Sequence, residues 1–326
     1  MTEDVCQNPE SRGWTRREHT LSREHEKQAW ELSRSMHGNV LTLYVPGMFV
    51  VDGKRGKYRA VSITGSGCEL QCEHCRGTLL ATMPPTPTPE SLITAGLAAA
   101  ERGDLGLLLS GGCDREGSLP WERFYEAIAT LKSRTGLRIT VHTGLITEQH
   151  AKAFKESGVD QALVDIICDD KTAVEVYHLP GAVNGIRRTL EALAKADLEI
   201  VPHIIFGIHF GEVRAEHRAL DLIREYPGRK YVVVVLMPTR GTPMASISPP
   251  PADTVAAFIA RARLSMPERL CSLGCARPRG HYRRNLDRLA VRAGVNSIAL
   301  PSEAAVEEAL DRGLAVEWRE TCCSLE

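Results

Sequence analysis

The stretch YRAVSITGSGCELQCEHCRG, residues 58–77, places a β-branched run directly before a loop that carries three cysteines. The run at residues 60–64 has the composition of a buried strand, and glycines follow it at once. From Tyr58 onward the chain repeats this order, with a short apolar run followed by an amphipathic stretch. Eight strands are therefore predicted, at residues 60–64, 105–110, 137–142, 162–167, 198–205, 231–236, 269–273 and 297–300.

Helices are predicted between the strands, and their ends carry the expected signals. A proline or hydroxyl residue opens each helix and a glycine closes it, which is the usual capping asymmetry. Strands that alternate with helices over roughly 250 residues favour an α/β fold with a parallel sheet closed into a (β/α)8 TIM-type barrel. An open doubly wound sheet is the alternative. The predicted helices begin at Thr88, Pro120, Thr147 and Pro301.

The first 57 residues differ from this pattern. LSREHEKQAWELSRSMHG predicts a charged helix that ends at Gly38, and NVLTLYVPGMFVVDG predicts an extended segment or hairpin. We interpret residues 1–57 as an N-terminal extension that packs on the barrel as a cap. Residues 58–326 are interpreted as the barrel, which also carries the late cysteines.

The composition narrows the class of protein. The chain is 43% hydrophobic and 25% charged with a net charge of −1, which is typical of a globular protein and gives no bulk attraction to nucleic acid or membrane. The longest apolar run, residues 231–237, is far shorter than the roughly 20 residues of a membrane helix, and the first residues lack the apolar stretch of a signal peptide. We therefore expect a cytoplasmic protein whose ten cysteines are metal ligands, catalytic thiols or buried apolar residues rather than disulfides.

The three cysteines of the loop, Cys68, Cys72 and Cys75, follow the first predicted strand. They are expected at the carboxyl end of the barrel, where active sites of this fold lie. The glycines around them let the backbone curl around an inorganic group. A structural zinc site usually takes a second pair of cysteines nearby, which is missing here, whereas a [4Fe–4S] cluster on three thiolates keeps one iron open for a further ligand.

The spacing C-ELQ-C-EH-C resembles the C-x3-C-x2-C signature of radical S-adenosylmethionine enzymes, with His74 where that superfamily carries a ring before the third cysteine. The resemblance covers nearly the whole predicted barrel. It implies that Cys68, Cys72 and Cys75 are catalytic residues that hold a [4Fe–4S] cluster, and that S-adenosylmethionine binds the open iron. In such enzymes the reduced cluster cleaves S-adenosylmethionine to a 5′-deoxyadenosyl radical.

The resemblance also implies contacts to S-adenosylmethionine at the ends of later strands. Gly111 and Gly112 are similar to the superfamily's Gly-Gly-Glu segment, but Cys113 stands where the glutamate would be. Ser110 or Asp114 is therefore expected to accept the methionine amine. Each candidate also has a structural interpretation, as a turn residue or a buried histidine. The predicted cofactor-binding residues are His74, Ser110, Gly111, Gly112, His142, Asp165 (for a ribose hydroxyl), His203, Pro238 and Thr242, with His209 as a further histidine near the fifth strand.

Four further cysteines lie late in the chain. CSLGCARPRG contains Cys271 and Cys275, and TCCSLE contains Cys322 and Cys323. The loop after the seventh strand opens onto the same face as the three-cysteine loop, and adjacent cysteines near a chain end have little packing role unless a metal centre holds them. They favour an auxiliary iron–sulfur cluster of the [4Fe–4S] type over a zinc site or functionless thiols. The expected ligands are Cys275, Cys322 and Cys323, with Cys271 or Ser324 as the fourth.

Other residues near these thiols receive less specific interpretations. Arg277 and Arg279 are candidates to hold the cofactor carboxylate, a cluster or an acidic partner surface, and the alternative is that they are solvated surface arginines. Cys113 and Cys168 are interpreted as barrel packing.

Two clusters on one barrel resemble the biotin-synthase and lipoyl-synthase branch, in which an auxiliary cluster gives up its own sulfide. The sequence is most similar to biotin-synthase-related subunits of two-protein lipoyl synthases in SITGSGCELQCEHCRGTLL, LLLSGGCDREG, VHTGL, LMPTRGTPM, LGCARPRG and the terminal double cysteine. This implies sulfur insertion at C6 or C8 of octanoyl-lysine on a lipoyl domain or the glycine-cleavage carrier protein. A second lipoyl synthase subunit and a low-potential electron donor are the implied partners.

Single-protein lipoyl synthases carry their auxiliary cysteines before the radical motif, so their ligands do not transfer to this chain. Three alternative functions also stay open. A radical enzyme of the same branch that acts on a small molecule, or that rearranges a carbon skeleton without sulfur loss, fits the same motifs. A non-enzymatic module that carries iron–sulfur clusters or zinc is the third alternative.

Overall fold

A computed structural model describes residues 20–51 and 53–326. The strands in these ranges are β1 Val40–Tyr44, β2 Val50–Val51, β3 Lys54–Arg55, β4 Tyr58–Ser62, β5 Gly106–Ser110, β6 Arg138–His142, β7 Gln161–Ile166, β8 Glu199–Phe206, β9 Lys230–Val235, β10 Leu270–Leu273, β11 Ser297–Ala299 and β12 Ala315–Arg319. The helices are α1 Arg23–His37, α2 Pro89–Glu101, α3 Tyr125–Arg134, α4 Glu148–Ser157, α5 Asp170–Glu175, α6 Ala182–Lys195, α7 Glu216–Arg224, α8 Ala252–Ser265, α9 His281–Arg292 and α10 Glu303–Asp311.

Ten of the strands form one parallel sheet in the order β4-β5-β6-β7-β8-β9-β10-β11-β1-β12. Strands β4 to β11 match the eight predicted strands. The predicted α/β barrel is confirmed as a curled parallel sheet. Because β4 to β11 follow one another without a reversal, the sheet lacks the switch point of a doubly wound fold, and that alternative is wrong.

The two edge strands, β4 and β12, meet through the residues beside them. Lys57 N donates to Glu320 O at 2.6 Å, and Lys57 Nζ forms an ion pair with the Glu320 carboxylate at 2.6 Å. Gly47 N also donates to Tyr58 O at 2.9 Å, which ties the loop after β1 to β4. These contacts bridge the edges and enclose a barrel interior.

The helix predictions are confirmed, with small shifts at their starts. Thr88 and Thr147 cap α2 and α4, and each side chain accepts a hydrogen bond from the backbone N–H three residues on. Gly158 ends α4 with φ 85°, the left-handed conformation that favours glycine at this position. α3 begins later than predicted, because a 3-10 helix at Trp121–Arg123 comes first.

The N-terminal extension contributes directly to the sheet. α1 confirms the predicted charged helix before Gly38. Residues 40–44, expected in a cap, instead form β1 between β11 and β12, because Leu41 and Leu43 are fully buried. Residues 1–19 and the expectation about a signal peptide lie outside the described ranges.

The sheet separates two apolar layers. The outer layer lies between strands and helices and includes Leu109, Ile139 and Phe154. A smaller inner layer contains Leu163 and Val201, together with Tyr44, Val232, Ala299 and Cys323. Because side chains alternate along each strand, neighbouring residues face different layers. Among the described residues, no helix combines the length and apolar character needed to cross a bilayer.

Candidate active site

The three-cysteine loop lies at the carboxyl end of β4, as predicted. Cys72 is buried, while Cys68 and Cys75 are half-buried. Cys75 N donates to Cys72 O at 3.1 Å, and Gln71 takes a positive φ of 47°, so the backbone turns tightly between the thiols. The loop is fixed to the next βα turn because Glu69 N donates to Cys113 O at 2.7 Å.

The Cys72 and Cys75 thiols form a hydrogen bond with each other. Cys72 donates a hydrogen bond to Cys75, which lowers the pKa of Cys75 to about 4, with a further contribution from the neighbouring His74. The same hydrogen bond, together with burial, raises the pKa of Cys72. A thiolate at Cys75 is the protonation state in which a cysteine binds iron.

Gly111 and Gly112 bring the second βα turn against the cysteine loop. A Cβ on Gly112 would lie 2.0 Å from Gly67 O and 2.4 Å from Cys68 Cβ. Gly112 N donates to Thr64 Oγ1 at 2.7 Å. The structure thus gives Gly112 a close-approach role, which the sequence interpretation did not separate from cofactor contact.

Asp114 is held by its own turn. Its Oδ1 accepts hydrogen bonds from Glu116 N and Ser118 N, both at 2.9 Å. This oxygen is therefore occupied by the turn, whereas Asp114 Oδ2 has no such role among the described residues, and both Ser110 and Asp114 stay predicted acceptors of the methionine amine.

A cavity of about 160 Å³ opens beneath the loop and collects several predicted residues. Leu70 lines it from the loop and Cys113 from the turn after β5. Burial raises the pKa of Cys113 to about 12, so this thiol is neutral. The predicted residues that line the cavity are Ser110, Gly111, His142 and Asp165.

The two predicted histidines of the interior are neighbours. The rings of His142 and His203 lie 5.6 Å apart in an edge-to-face arrangement. Burial, with His142 nearby, lowers the pKa of His203 to about 4. His209 is separate from them, because its Nδ1 lies 3.2 Å from Thr172 Oγ1 on the rim beside α5.

Pro238 and Thr242 lie in the turn after β9, as predicted. Thr242 Oγ1 donates to Thr239 O at 2.7 Å, which closes the turn. Neither residue lines the 160 Å³ cavity. Their predicted contact with adenine or carboxylate therefore stays a prediction.

Tyr177 is a site residue that the sequence interpretation missed. Its ring lies 5.2 Å from that of His74, and its hydroxyl is buried without a hydrogen-bond partner among the described residues. Its backbone oxygen lies 3.8 Å from Cys72 Sγ. No motif marks this residue in the sequence; only its fold position after α5 brings it to the loop.

A second group of thiols lies inside the barrel. Cys275, Cys322 and Cys323 pack around the inner apolar layer. The Cys323 thiol donates to Cys322, which lowers the pKa of Cys322 to about 6 and raises the pKa of Cys323. Burial raises the pKa of Cys275, with Cys322 close by. The structure thus brings together the three late cysteines predicted to share a centre.

Ser324, but not Cys271, accompanies this group. Ser324 Oγ is fully buried near the Cys322 thiol and finds no hydrogen bond of ordinary geometry within the described residues. Cys271 pairs in register with Tyr231 and packs in the outer layer, so its thiol is on the other face of the sheet. The expectation of Cys271 as the fourth ligand is therefore corrected.

Arg277 is a structural residue. Its guanidinium is fully buried and forms a bidentate pair with Asp287, at 2.8 and 3.0 Å. The remaining donors bind the carbonyls of Gly274, Ala299 and Leu300. The expectation that Arg277 holds a cofactor or partner is corrected because every donor is used, whereas Arg279 is exposed.

Within residues 20–51 and 53–326, no three His, Cys, Asp or Glu side chains are arranged around one metal position.

No protein-family model matches the chain, whereas several curated proteins and solved structures are similar to it. The chain is similar to a biotin synthase of Ruthia magnifica subsp. Calyptogena magnifica, with 28% identity over 168 residues that make up 50% of each protein. A biotin synthase of Sorangium cellulosum is 27% identical over 250 residues, 73% of this chain and 69% of the relative. An AdoMet-dependent heme synthase of Methanosarcina barkeri is 28% identical over 192 residues, 56% of this chain and 52% of the relative. The chain therefore spans about half the length of the first and third of these relatives.

Solved structures share the fold. The crystal structure of a methylornithine synthase aligns with a TM-score of 0.61 and 16% identity, covering 92% of this chain and 91% of that protein. The [FeFe]-hydrogenase maturase HydG aligns with a TM-score of 0.65 and 12% identity, covering 90% and 68%. At these identities the likeness concerns the fold.

A curled parallel barrel with a three-cysteine loop at the carboxyl end of β4 defines a radical S-adenosylmethionine enzyme. Within that superfamily, the similarity to biotin synthases and to an AdoMet-dependent heme synthase supports the biotin synthase-like branch. This likeness implies a [4Fe–4S] cluster and S-adenosylmethionine as cofactors.

Proposed function

We propose that the chain is a lipoyl synthase component that inserts sulfur into octanoyl-lysine on a lipoyl domain or the glycine-cleavage carrier protein. The observation that supports this most strongly is the presence of two thiol groups in one barrel. Cys68, Cys72 and Cys75 lie at the carboxyl end, and Cys275, Cys322 and Cys323 lie inside. An enzyme that forms a carbon radical and then traps it with sulfur needs both.

His142 relates the cavity beneath the loop to the second thiol group. Leu70, within the cysteine loop, lines the same cavity as His142. The charge of His142 also lowers the pKa of Cys322, after the larger effects of hydrogen bonds with Cys323 and Ser324. A substrate chain that enters this cavity would therefore lie between the two thiol groups.

The residues present fit the implied cofactors. Cys68, Cys72 and Cys75 would hold the radical cluster, and Cys275, Cys322 and Cys323 an auxiliary [4Fe–4S] cluster, with Ser324 as its fourth ligand. When bound, these groups and S-adenosylmethionine would supply the radical that removes hydrogen from an unactivated methylene and the sulfide that replaces it.

The chain's own contribution is binding and exclusion of water. Ser110 and Asp165 line the cavity and offer acceptors for amine and hydroxyl groups. Leu119, Leu163 and Tyr177 line the same cavity with apolar surface, which keeps water from a reactive intermediate. A second lipoyl synthase subunit would add the other sulfur, and a low-potential electron donor would reduce the radical cluster.

Anaerobic reconstitution tests the two-centre arrangement. We expect about eight irons and eight sulfides in the native protein and about four of each when Cys275, Cys322 and Cys323 are replaced by alanine. Cys271→Ala, whose thiol faces the outer layer, is the matched control and should retain about eight. Bound zinc without visible absorbance would instead support the non-enzymatic module.

Substrate assays test the reaction. The reconstituted protein and reductant should form 5′-deoxyadenosine, and the triple variant of Cys68, Cys72 and Cys75 should not. Mass spectrometry of an octanoylated lipoyl-domain peptide should show addition of sulfur when the second subunit is supplied. No mass gain, with or without that subunit, would exclude the lipoyl assignment.

A small-molecule substrate is the second candidate. Two of the similar curated proteins described above are named biotin synthase, and the cavity beneath the loop is small and partly apolar. Sulfur gain by a free small molecule, with none on the carrier peptide, would favour this reaction.

A further inference from the structure

Residues 320–326 follow β12 without forming a helix or strand, and the middle of this segment runs inside the barrel. Cys323, Ser324 and Leu325 are nevertheless almost fully buried, at 4%, 0% and 2% exposure. A short irregular segment can be buried only if other groups satisfy its backbone. Because the segment carries Cys322 and Cys323, the residues that hold its backbone also hold these two thiols in place.

Three side chains from three different strands bind three successive carbonyls of the segment. Gln161 Nε2, at the start of β7, donates to Ser324 O at 3.2 Å. Tyr44 OH, from β1, donates to Leu325 O at 2.6 Å. Lys230 Nζ, at the start of β9, donates to Cys323 O at 3.4 Å and also to Leu325 O. Lys230 is thus the one of the three that binds the backbone on both sides of Ser324.

The Lys230 ammonium has an unusual environment. It is buried, with 2% exposure, and no carboxylate of the described residues lies within ion-pair distance of it. Its partners are carbonyls and the Tyr44 hydroxyl, at 3.3 Å. Burial lowers the pKa of Lys230, and the negative charges of Cys323, Glu326, Cys322 and Glu199 oppose this shift. Buried lysines are normally paired with an anion, and because Glu326 is not within ion-pair distance, a centre bound by the nearby thiols is the candidate for its counter-charge.

Arg277 provides the contrast within the same chain. It is also fully buried, but Asp287 neutralises it through two hydrogen bonds. Arg277 therefore needs no further anion. Lys230 does, and an iron–sulfur centre on thiolates is anionic.

We propose that Lys230 is the positioning residue of the second thiol group: its ammonium holds residues 320–326 so that Cys322 and Cys323 face Cys275, and it supplies the positive charge opposite the anionic centre they bind. The second half of this statement rests on the proposed function. The first half does not, because the hydrogen bonds to Cys323 and Leu325 exist without any cluster.

Thiol labelling of the apo-protein tests the positioning role. Under anaerobic native conditions, Lys230→Met should make alkylation of Cys322 and Cys323 faster by on the order of tenfold, because the segment loses charge-assisted hydrogen bonds. Cys271, fully buried in the outer layer, is the internal control for folding and should stay protected. Mass spectrometry of each peptide gives the three rates separately.

Lys132→Met is the matched control variant. Lys132 Nζ also binds a backbone carbonyl, Leu137 O at 3.2 Å, but outside the barrel, where Asp160 pairs with it. Its replacement should leave the labelling of Cys322 and Cys323 unchanged. Wild-type labelling rates in Lys230→Met, with Cys271 protected, would overturn the proposal.

If Lys230→Met also exposes Cys271, the whole fold has opened and Lys230→Gln decides instead. Glutamine retains a donor without the charge, so labelling of Cys322 between the rates of wild type and Lys230→Met supports positioning. Wild-type labelling overturns it.

Iron content tests the charge role. Reconstituted Lys230→Met should hold about four irons rather than eight and should still form 5′-deoxyadenosine, whereas Lys230→Arg should recover most of the loss. Eight irons in Lys230→Met would overturn the charge role. If the wild type itself holds only four irons while the labelling result stands, the proposed function fails and the positioning of the segment by Lys230 does not.

Discussion

Gly112 lies directly against Cys68, so that a Cβ at position 112 would come within 2.4 Å of Cys68 Cβ. The nearest atom to that Cβ would be Gly67 O, at 2.0 Å, and this backbone oxygen belongs to the cysteine loop itself. The position of the first cysteine therefore depends on a glycine 44 residues later, in the turn after β5. The radical site is built from two loops that have to fit together.

Gly112→Ala should displace the cysteine loop. The added methyl group meets backbone atoms that cannot rotate away, and such overpacking typically costs about 1–3 kcal/mol. We expect reconstituted protein to lose most of the iron bound by Cys68, Cys72 and Cys75. Gly136→Ala is the control, because a Cβ there meets nothing within 4 Å. Full iron content in Gly112→Ala would show that the loop tolerates the displacement.

Arg277→Met should destabilise the fold rather than alter cofactor binding. It leaves Asp287 buried without its partner, and breaking a buried pair in this way costs about 3–5 kcal/mol. Denaturant unfolding of the apo-protein measures this loss. Arg279→Met, at an exposed position, should change stability by less than about 0.5 kcal/mol. Equal stability of the two variants would contradict the structural role of Arg277.

Acid should destabilise the apo-protein through His203. Burial, with His142 nearby, lowers the pKa of His203 from 6.5 to about 4. Between these values the unfolded chain binds a proton that the folded chain does not, so stability is full above pH 6.5 and falls as the pH drops toward 4. By pH 5 the loss from this residue should reach about 2 kcal/mol.

Urea unfolding at pH 7 and pH 5 checks this loss. His203→Asn should flatten the pH dependence of the free energy of unfolding. An identical pH dependence in His203→Asn and the native protein would show that the pKa of His203 is the same in the folded and unfolded chains.

Single replacements should distinguish the late cysteines. Cys275→Ala should lower the iron content toward about four, because its thiol lies with Cys322 and Cys323. Cys271→Ala should lose only packing, on the order of 1 kcal/mol, and keep its iron. Colorimetric iron and sulfide assays on both variants measure the difference. Loss of iron in Cys271→Ala would place the second centre elsewhere.

The sequence predicted the parts of the fold that carry strong periodic signals. The runs from β4 to β11 are short and apolar, and each is followed by a helix, so the order and type of these elements could be predicted from the sequence. β12 was missed because it is a short strand whose side chains, such as Glu317 and Trp318, are largely exposed at the sheet edge. β1 was found as an extended segment, but its place in the sheet depends on long-range pairing.

The site was predictable where residues form a motif and not where they act alone. Cys68, Cys72 and Cys75 share one loop, so spacing was sufficient. Cys271 and Cys275 are equally close in sequence, but Cys271 lies within β10 and faces outward, whereas Cys275 follows the strand and turns inward. Residues such as Tyr177 and Lys230 belong to no motif, and only the assembled barrel brings them to the thiols.

The location of β1 between β11 and β12 affects how the chain can mature. A strand made early in synthesis has no sheet partner until residues near 300 have left the ribosome, because Thr42 pairs with Ser297 and Glu317. The barrel therefore closes late, and the same event encloses the buried cysteines at positions 322 and 323. Any metal delivered to those thiols has to arrive before β1 pairs with β11 and β12, or after these strands separate again.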